Sequence, residues 1–282
     1  MAIDVTSTTD SLLPLLCRFV RGEYGIALGG AHAKGVDDAE SDIDLYVFTR
    51  EILLSDERRR LSEAFGIDGT TLTVWGDDAE FVQAGTDFYF QGQKIECWFR
   101  NIDYIDANIA ECQAGIVKHS LLTWTVMGFY NHCTLSDLHN MRPIDDPHGI
   151  LARWQSEVRV YPPKLREAII SRYTRTAQFW PDNFHYKSAV ERGDAIYTAG
   201  IVQQVIHNLI QVVFALNQTY FPGDKKLDIA LSHLAIKPER FTERIHQLLF
   251  LGANPNPALL NEQRQALRAL VREVTTLTEG IQ

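Results

Sequence analysis

The spacing of hydrophobic and polar positions changes part-way along the chain. Up to about position 115 the sequence combines short apolar runs typical of strands with a few helical patterns, whereas the remainder follows long helical spacing. This change predicts an α+β fold. We expect a mixed β-sheet flanked by helices over residues 1–115 and an all-helical domain over residues 116–282, with the boundary near Gly115.

Helix and turn signals predict the elements of the first domain. Ser11–Arg21 is expected to be a helix, with Asp10 as its cap and Gly22 as its stop, and a second helix runs from Ser55 through Phe65. Strands are expected at Tyr24–Leu28, Ser41–Phe48, Thr71–Trp75, Thr86–Phe90 and Gln93–Phe99. The last two strands form a hairpin around Gly92, which completes a mixed sheet of four or five strands.

The second domain is predicted to consist of helices. They are expected at residues 119–131, 148–159, 163–179, 184–192, 194–217, 238–250 and 257–278. Pro163, Pro238 and Pro257 fit the first turns of three of them, where the missing amide hydrogen has no intrahelical partner to lose. The apolar stretch Ile201–Leu216 contains too many amide and imidazole side chains for a membrane span, so we expect a buried helix there.

Composition and charge exclude several classes of protein. Hydrophobic residues make up 45% of the chain and charged residues 22%, which is typical of a folded globular protein. The formal net charge of -9 argues against a broad nucleic-acid surface, which needs clustered Lys and Arg. Four cysteines without CxxC spacing indicate reduced thiols, and residues 1–10 lack the basic and apolar regions of a signal peptide. We therefore expect a cytoplasmic protein.

Two acidic residues stand out in the run Ser41–Phe48. Strand side chains alternate between faces, so Asp42 and Asp44 project the same way, while Ile43 and Leu45 project into the opposite, apolar face. Two carboxylates held side by side repel each other unless a cation lies between them, and Mg²⁺ prefers oxygen ligands. The pattern predicts a magnesium site.

A glycine-rich turn, Gly29–Gly35, lies just before the acidic strand. It matches neither the GxGxxG nor the GxxxxGK[ST] pattern, and glycine turns by themselves are common. The context is more informative, because a strand, a turn with free backbone amides and two carboxylates on the next strand present a phosphate site and a metal site together.

These residues resemble the nucleotidyltransferase superfamily of DNA polymerase β, especially its small antibiotic-modifying and minimal bacterial members. The run from Gly30 to Gly35 stands at the family's Gly-Ser turn, and Ser41–Asp44 stands at its Asp-x-Asp motif. A looser resemblance in the helical half rests on Arg192–Asp194 and on Leu216–Tyr220. The resemblance implies an enzyme that uses Mg²⁺ and transfers a nucleoside monophosphate, most simply AMP from ATP, to a hydroxyl group with release of pyrophosphate.

The resemblance also implies roles for individual residues. Metal binding falls to Asp42 and Asp44, and a third carboxylate acts as ligand or general base; Glu96 is the choice and Asp87 the alternative. By strand alternation Glu96 shares a face with Lys94 and Trp98, while the apolar residues of the strand face the other way, namely Ile95, Cys97 and Phe99. The residues expected to contact phosphates are Gly29, Gly30, Ala31, His32 and Lys34, with Lys225 or Lys226 from the helical half. Glu191 or Asp194 is expected to bind a cationic acceptor or assist its deprotonation. The simpler alternatives are a solvated strand glutamate at Glu96 and a charged helix junction at Glu191 and Asp194.

Two departures from the family pattern bear on activity. Ala31 stands where the family usually has a phosphate-binding Ser, and Lys34 where Arg is frequent. A lost hydroxyl contact to a charged phosphate costs on the order of 1.5 to 3 kcal/mol. Three interpretations stay open: transfer to a small polyhydroxyl acceptor such as an antibiotic, transfer to a protein hydroxyl, and a nucleotide-binding protein of this fold without turnover.

Overall fold

The computed structural model describes residues 5–76, 83–122, 125–252 and 254–280. The chain forms two compact units, and each is built from two stretches of sequence. The sheet unit comprises Met1–Ala110 and Thr134–Val160, and the helical unit comprises Glu111–Cys133 and Tyr161–Gln282.

The strands form one large sheet and one small ribbon. Within the described residues the strands are β1 (Tyr24–Leu28), β2 (Ile43–Thr49), β3 (Thr73–Trp75), β4 (Ala84–Phe90), β5 (Gln93–Asn101), β6 (His119–Ser120), β7 (Phe129–Tyr130) and β8 (Arg142–Asp145). The large sheet has the order β3-β4-β5-β2-β1-β8, and β6 pairs with β7. Only the β2–β5 pair of the described sheet is parallel, so the sheet is mixed. The predicted α+β class is confirmed.

Helices account for most of the remaining described chain. They are α1 (Val5–Leu16), α2 (Gly30–Lys34), α3 (Ser55–Phe65), α4 (Ile102–Gln113), α5 (Cys133–Asn140), α6 (Ile150–Glu157), α7 (Pro163–Phe179), α8 (Phe184–Arg192), α9 (Ala195–Leu216), α10 (Leu227–Ser232), α11 (Phe241–Leu249) and α12 (Pro257–Glu279). In the helical unit, α9 packs against α7, α8, α11 and α12. Among the described residues only α9 is long and apolar enough to cross a membrane, and most of it is buried in the unit, as predicted.

One face of the large sheet forms the apolar core of the sheet unit. Alternate residues of β2 and β5 are fully buried there, namely Ile43, Leu45, Val47, Ile95, Cys97 and Phe99. They pack with Leu12, Leu15 and Leu16 of α1. Because strand side chains alternate, the polar residues between them project to the opposite face. The predicted alternation in both strands is confirmed, and so is the β4–β5 hairpin, whose two-residue loop has Gln91 and Gly92 at positive φ.

Several predicted elements are wrong. The helix expected over 119–131 is replaced by the β6–β7 ribbon, in which His119 stacks on Tyr130 with ring centroids 4.3 Å apart; residues 123 and 124 lie outside the described chain. The first helix runs over Val5–Leu16 rather than Ser11–Arg21, so Asp10 lies inside it and is not its cap. Its threonine and serine hydroxyls bond to carbonyls three or four residues back, which lets these polar residues join the helix.

Other differences concern elements that the sequence pattern did not predict. These are α2, which lies in the predicted glycine-rich turn, and α4, α5, α10 and β8. Strand β8 lies in the part of the chain assigned to helices, yet it pairs with β1 and makes the sheet six-stranded. Helix α11 begins at Phe241, so Pro238 is not in its first turn, whereas Pro163 and Pro257 do begin α7 and α12.

Candidate active site

Four carboxylates gather on the polar face of the sheet. The parallel pairing of β2 with β5 sets Asp44 opposite Glu96, and the antiparallel pairing of β5 with β4 sets Glu96 opposite Asp87. Directly paired residues share a face of a sheet, so these three side chains form a row across three strands. Asp42 lies two residues before Asp44 and completes what we call the carboxylate cluster: Asp42, Asp44, Asp87 and Glu96.

The side chain of Lys94 reaches into this cluster. Its Nζ lies 3.5 Å from Asp42 Oδ2 and donates a hydrogen bond to Glu96 Oε1. That hydrogen bond is the main reason why the pKa of Lys94 is raised. Sequence analysis placed Lys94 on the same face as Glu96 but gave it no role.

Asp87 and Glu96 have different surroundings. Trp75 Nε1 donates a 2.8 Å hydrogen bond to Asp87 Oδ2, and Asp87 Oδ1 is buried with no hydrogen-bond partner among the described residues. Burial raises the pKa of Asp87 to about 6; the Trp75 hydrogen bond opposes this shift, and the charge of Glu96 adds to it. The side chain of Glu96 is 21% exposed. Both oxygens of Asp87 are thus covered by protein, whereas part of the Glu96 side chain is open to solvent.

The glycine-rich turn packs directly against the carboxylate cluster. Gly29 precedes α2 and its amide donates to Asp44 O over 2.8 Å, while Gly35 ends α2 in the left-handed conformation. Gly30 has φ of 59°, and a Cβ there would lie 1.6 Å from Asp44 Oδ2. The first amides of a helix have no intrahelical acceptor. In α2 these include the amides of Gly30 and Ala31, which follow the Gly29 amide that is bonded to Asp44.

Side chains of the turn differ in accessibility. His32 is buried, with Nδ1 3.4 Å from Oδ2 of Asp37, a residue just beyond the turn. Lys34 is half-buried in the last turn of α2. Of the two polar side chains of the turn that are predicted to contact phosphate, Lys34 is the more accessible.

An arginine next to this turn was missed by sequence analysis. Arg142 on β8 pairs in register with Leu28, and its Nη2 donates a 2.6 Å hydrogen bond to His32 O. A guanidinium bonded to a carbonyl in the last turn of a helix both caps it and complements its dipole. No local sequence pattern marks this contact, because it depends on the pairing of β8 with β1.

Aromatic side chains border the cluster on the same face. Tyr46 and Trp98 are paired across β2 and β5 and stack with centroids 6.2 Å apart, and Trp75 meets Trp98 edge-on at 6.0 Å. The Tyr46 ring also covers Gly29, where a Cβ would lie 2.0 Å from Tyr46 Cε2. The rings form one wall beside the carboxylates.

The remaining predicted residues belong to the helical unit. Asp194 caps α9, since its Oδ1 accepts from the Tyr197 amide over 3.3 Å, and Glu191 is exposed on α8. Lys225 is exposed, and Lys226 precedes α10 with φ of 55°. This capping hydrogen bond gives Asp194 a local structural role, as the alternative of a charged helix junction predicts.

The residues of the sheet unit fit a hard divalent cation by their chemistry. Asp42, Asp44 and Glu96 offer carboxylate oxygens, and a protein cation, Lys94, already lies among them. Among the described residues no three His, Cys, Asp or Glu side chains are close enough together to enclose a metal.

Comparisons with known proteins give a limited result. A family model described as a domain of unknown function (DUF4037) matches residues 130–227. Comparison with curated proteins gives no match. Among solved structures, the chain is similar to a nucleotidyltransferase-like protein from Exiguobacterium sibiricum 255-15, with 10% sequence identity and a TM-score of 0.46; the match covers 98% of this chain and 79% of that one.

Proposed function

We propose that this chain is a Mg²⁺-dependent nucleotidyltransferase, which transfers a nucleoside monophosphate to the hydroxyl of a small acceptor and releases pyrophosphate. AMP from ATP is the simplest donor. The observation that carries the proposal is the close packing of Gly30 on Asp44, next to Glu96, because it joins a phosphate-binding turn to a carboxylate cluster.

Each group in the sheet unit has a distinct task. Asp42 and Asp44 would hold the metal, and the amides of Gly30 and Ala31 would donate to phosphate oxygens. When bound, magnesium would lower the pKa of the acceptor hydroxyl and neutralise charge on the leaving pyrophosphate. Positioning and charge stabilisation supply most of the rate in such reactions.

The transfer itself needs one base. The acceptor oxygen attacks the α-phosphorus, the bond from that phosphorus to the bridging oxygen breaks, and pyrophosphate leaves. Glu96 accepts the proton of the hydroxyl, because it is the partly exposed carboxylate beside Asp44. Both oxygens of Asp87 are covered, so Asp87 contributes only its charge.

A pyrophosphate-release assay tests this proposal. The protein is incubated with Mg²⁺, each nucleoside triphosphate and a panel of hydroxylated acceptors that includes aminoglycosides, lincosamides and protein substrates. Asp42→Asn and Asp44→Asn are expected to lose release, whereas Asp10→Asn, an exposed change on α1, retains it. Equal release by the wild type and both site variants, under every condition, would contradict the proposal.

A second candidate is a nucleotide-binding protein without turnover. Ala31 favours it, since the turn has an alanine where a hydroxyl would bind phosphate. Ala31→Ser distinguishes the two: in an enzyme it is expected to speed pyrophosphate release roughly tenfold or more. ATP binding without release in both the wild type and Ala31→Ser would favour the second candidate.

A further inference from the structure

Lys94 lies where a cation is needed. Its ammonium group contacts Glu96 on β5 and Asp42 just before β2, and it lowers the raised pKa of Asp87 by its charge. The Lys94 ammonium group thus interacts with three of the four carboxylates of the cluster.

From these contacts we infer that the Lys94 ammonium is a built-in cation of the carboxylate cluster, and that a divalent cation binds the cluster only by displacing it. This inference rests on the proposed function, because it assumes that the cluster binds a divalent cation. It adds a residue that sets the affinity of that binding.

The positions of the charges indicate that a divalent cation displaces the Lys94 ammonium group and does not bind beside it. Lys94 Nζ uses Asp42 Oδ2 and Glu96 Oε1, the same class of oxygen that Mg²⁺ takes as a ligand. An ammonium and a divalent cation sharing these oxygens would repel each other across a few ångströms. The Lys94 side chain is 46% exposed, so it is free to swing into solvent when the metal arrives.

The same contacts make the lysine a support for the cluster. Asp44, Glu96 and Asp87 lie in adjacent register positions, where like charges destabilise a sheet. Lys94 offsets part of that repulsion. A variant without the ammonium group should need a divalent cation for stability more than the wild type does.

Lys94→Gln tests the inference, with Lys118→Gln as the matched control. Lys118 lies in the helical unit, forms a similar ion pair with Glu111, and is 47% exposed against 46% for Lys94. Affinity for Mg²⁺ and Mn²⁺ is measured by isothermal titration calorimetry on the whole chain, without nucleotide. Thermal unfolding with and without Mg²⁺ gives a second readout that does not depend on activity.

Lys94→Gln is expected to bind the divalent cation about tenfold more tightly, a difference of about 1.4 kcal/mol. Its melting temperature should rise more on addition of Mg²⁺ than that of the wild type. Lys118→Gln should match the wild type in both measurements. Lys94→Arg keeps the positive charge and is expected to restore the weaker wild-type binding.

Two outcomes would overturn the inference, and they are distinguishable. If the wild type binds the cation in an Asp44-dependent way, and Lys94→Gln binds it no more tightly, the role of Lys94 is refuted and the proposed function stands. If neither protein binds a divalent cation in a way that Asp44→Asn abolishes, the proposed metal site fails together with the inference. Circular dichroism of Lys94→Gln verifies that the variant is folded.

Discussion

The contact between Gly30 and Asp44 gives the sharpest prediction. In Gly30→Ala the new Cβ would lie 1.6 Å from Asp44 Oδ2, 2.4 Å from its Cγ and 2.9 Å from its Cβ. Because Cβ of Asp44 is itself too close, rotation of the carboxylate cannot relieve the clash. The turn and β2 must separate by roughly 1.5 Å to restore normal contact distances.

Gly35→Ala is the matched control for this change. Gly35 also has positive φ, 68° against 59°, but an added Cβ there meets nothing within 4 Å among the described residues. Both variants incur about 1–2 kcal/mol for an alanine in the left-handed region. Overpacking adds about 1–3 kcal/mol in Gly30→Ala alone. We expect losses in the free energy of unfolding of about 2–5 kcal/mol for Gly30→Ala and about 1–2 kcal/mol for Gly35→Ala.

The same comparison separates site geometry from folding stability. A displacement of about 1 Å at a site can reduce its rate about 100-fold, so Gly30→Ala should lose pyrophosphate release at temperatures where it is fully folded. Gly35→Ala should keep most of it. Urea unfolding, followed by tryptophan fluorescence, measures the free energy of unfolding of each variant. The pyrophosphate-release assay measures its activity. Equal losses in the two variants, in both measurements, would refute the steric argument.

Three further predictions concern buried or capping groups. Asp87→Asn is expected to stabilise the protein at pH 8 by about 1–3 kcal/mol, because burial raises the pKa of Asp87 to about 6; the gain shrinks as the pH falls through 6 and disappears below about 4. Burial lowers the pKa of His132 and His207 to about 4, so stability is retained above pH 6.5 and falls between pH 6.5 and 4, by up to about 3 kcal/mol for each histidine. Arg142→Gln removes the hydrogen bond to His32 O and is expected to cost about 1 kcal/mol of stability and to weaken ATP binding about fivefold by calorimetry.

Each of these has a measurement that can contradict it. In urea titrations, the free energy of unfolding of Asp87→Asn must exceed that of the wild type by more at pH 8 than at pH 4. An equal increase at both pH values would show that the Asp87 carboxylate is not its source. Replacing His132 with Gln must flatten the acid side of the stability curve, and an unchanged slope counts against the assigned pKa. Arg60→Gln is the control for Arg142→Gln, because it also removes a hydrogen bond from an arginine to a backbone carbonyl, on α3. It must leave ATP binding unchanged.

Local sequence pattern was sufficient to place part of the candidate site. The alternation in β2 and β5 assigned Asp42, Asp44 and Glu96 to the polar face, because the two-residue period of a strand depends only on its own backbone. The Gly92 turn predicted the β4–β5 hairpin for the same reason, since two residues at positive φ reverse the chain locally.

Pairings between distant segments were decided only by the tertiary structure. The parallel register that sets Asp44 opposite Glu96, the covered position of Asp87 and the reach of Lys94 to Asp42 all depend on which strands become neighbours. Arg142 meets His32 across 110 positions of sequence, through a strand in a region predicted to be helical. The sequence by itself determined which faces of the strands are polar. The packing of β8, β5 and β4 around β1 and β2 determined what those faces hold, because side-chain contacts between distant segments form only when the whole sheet assembles.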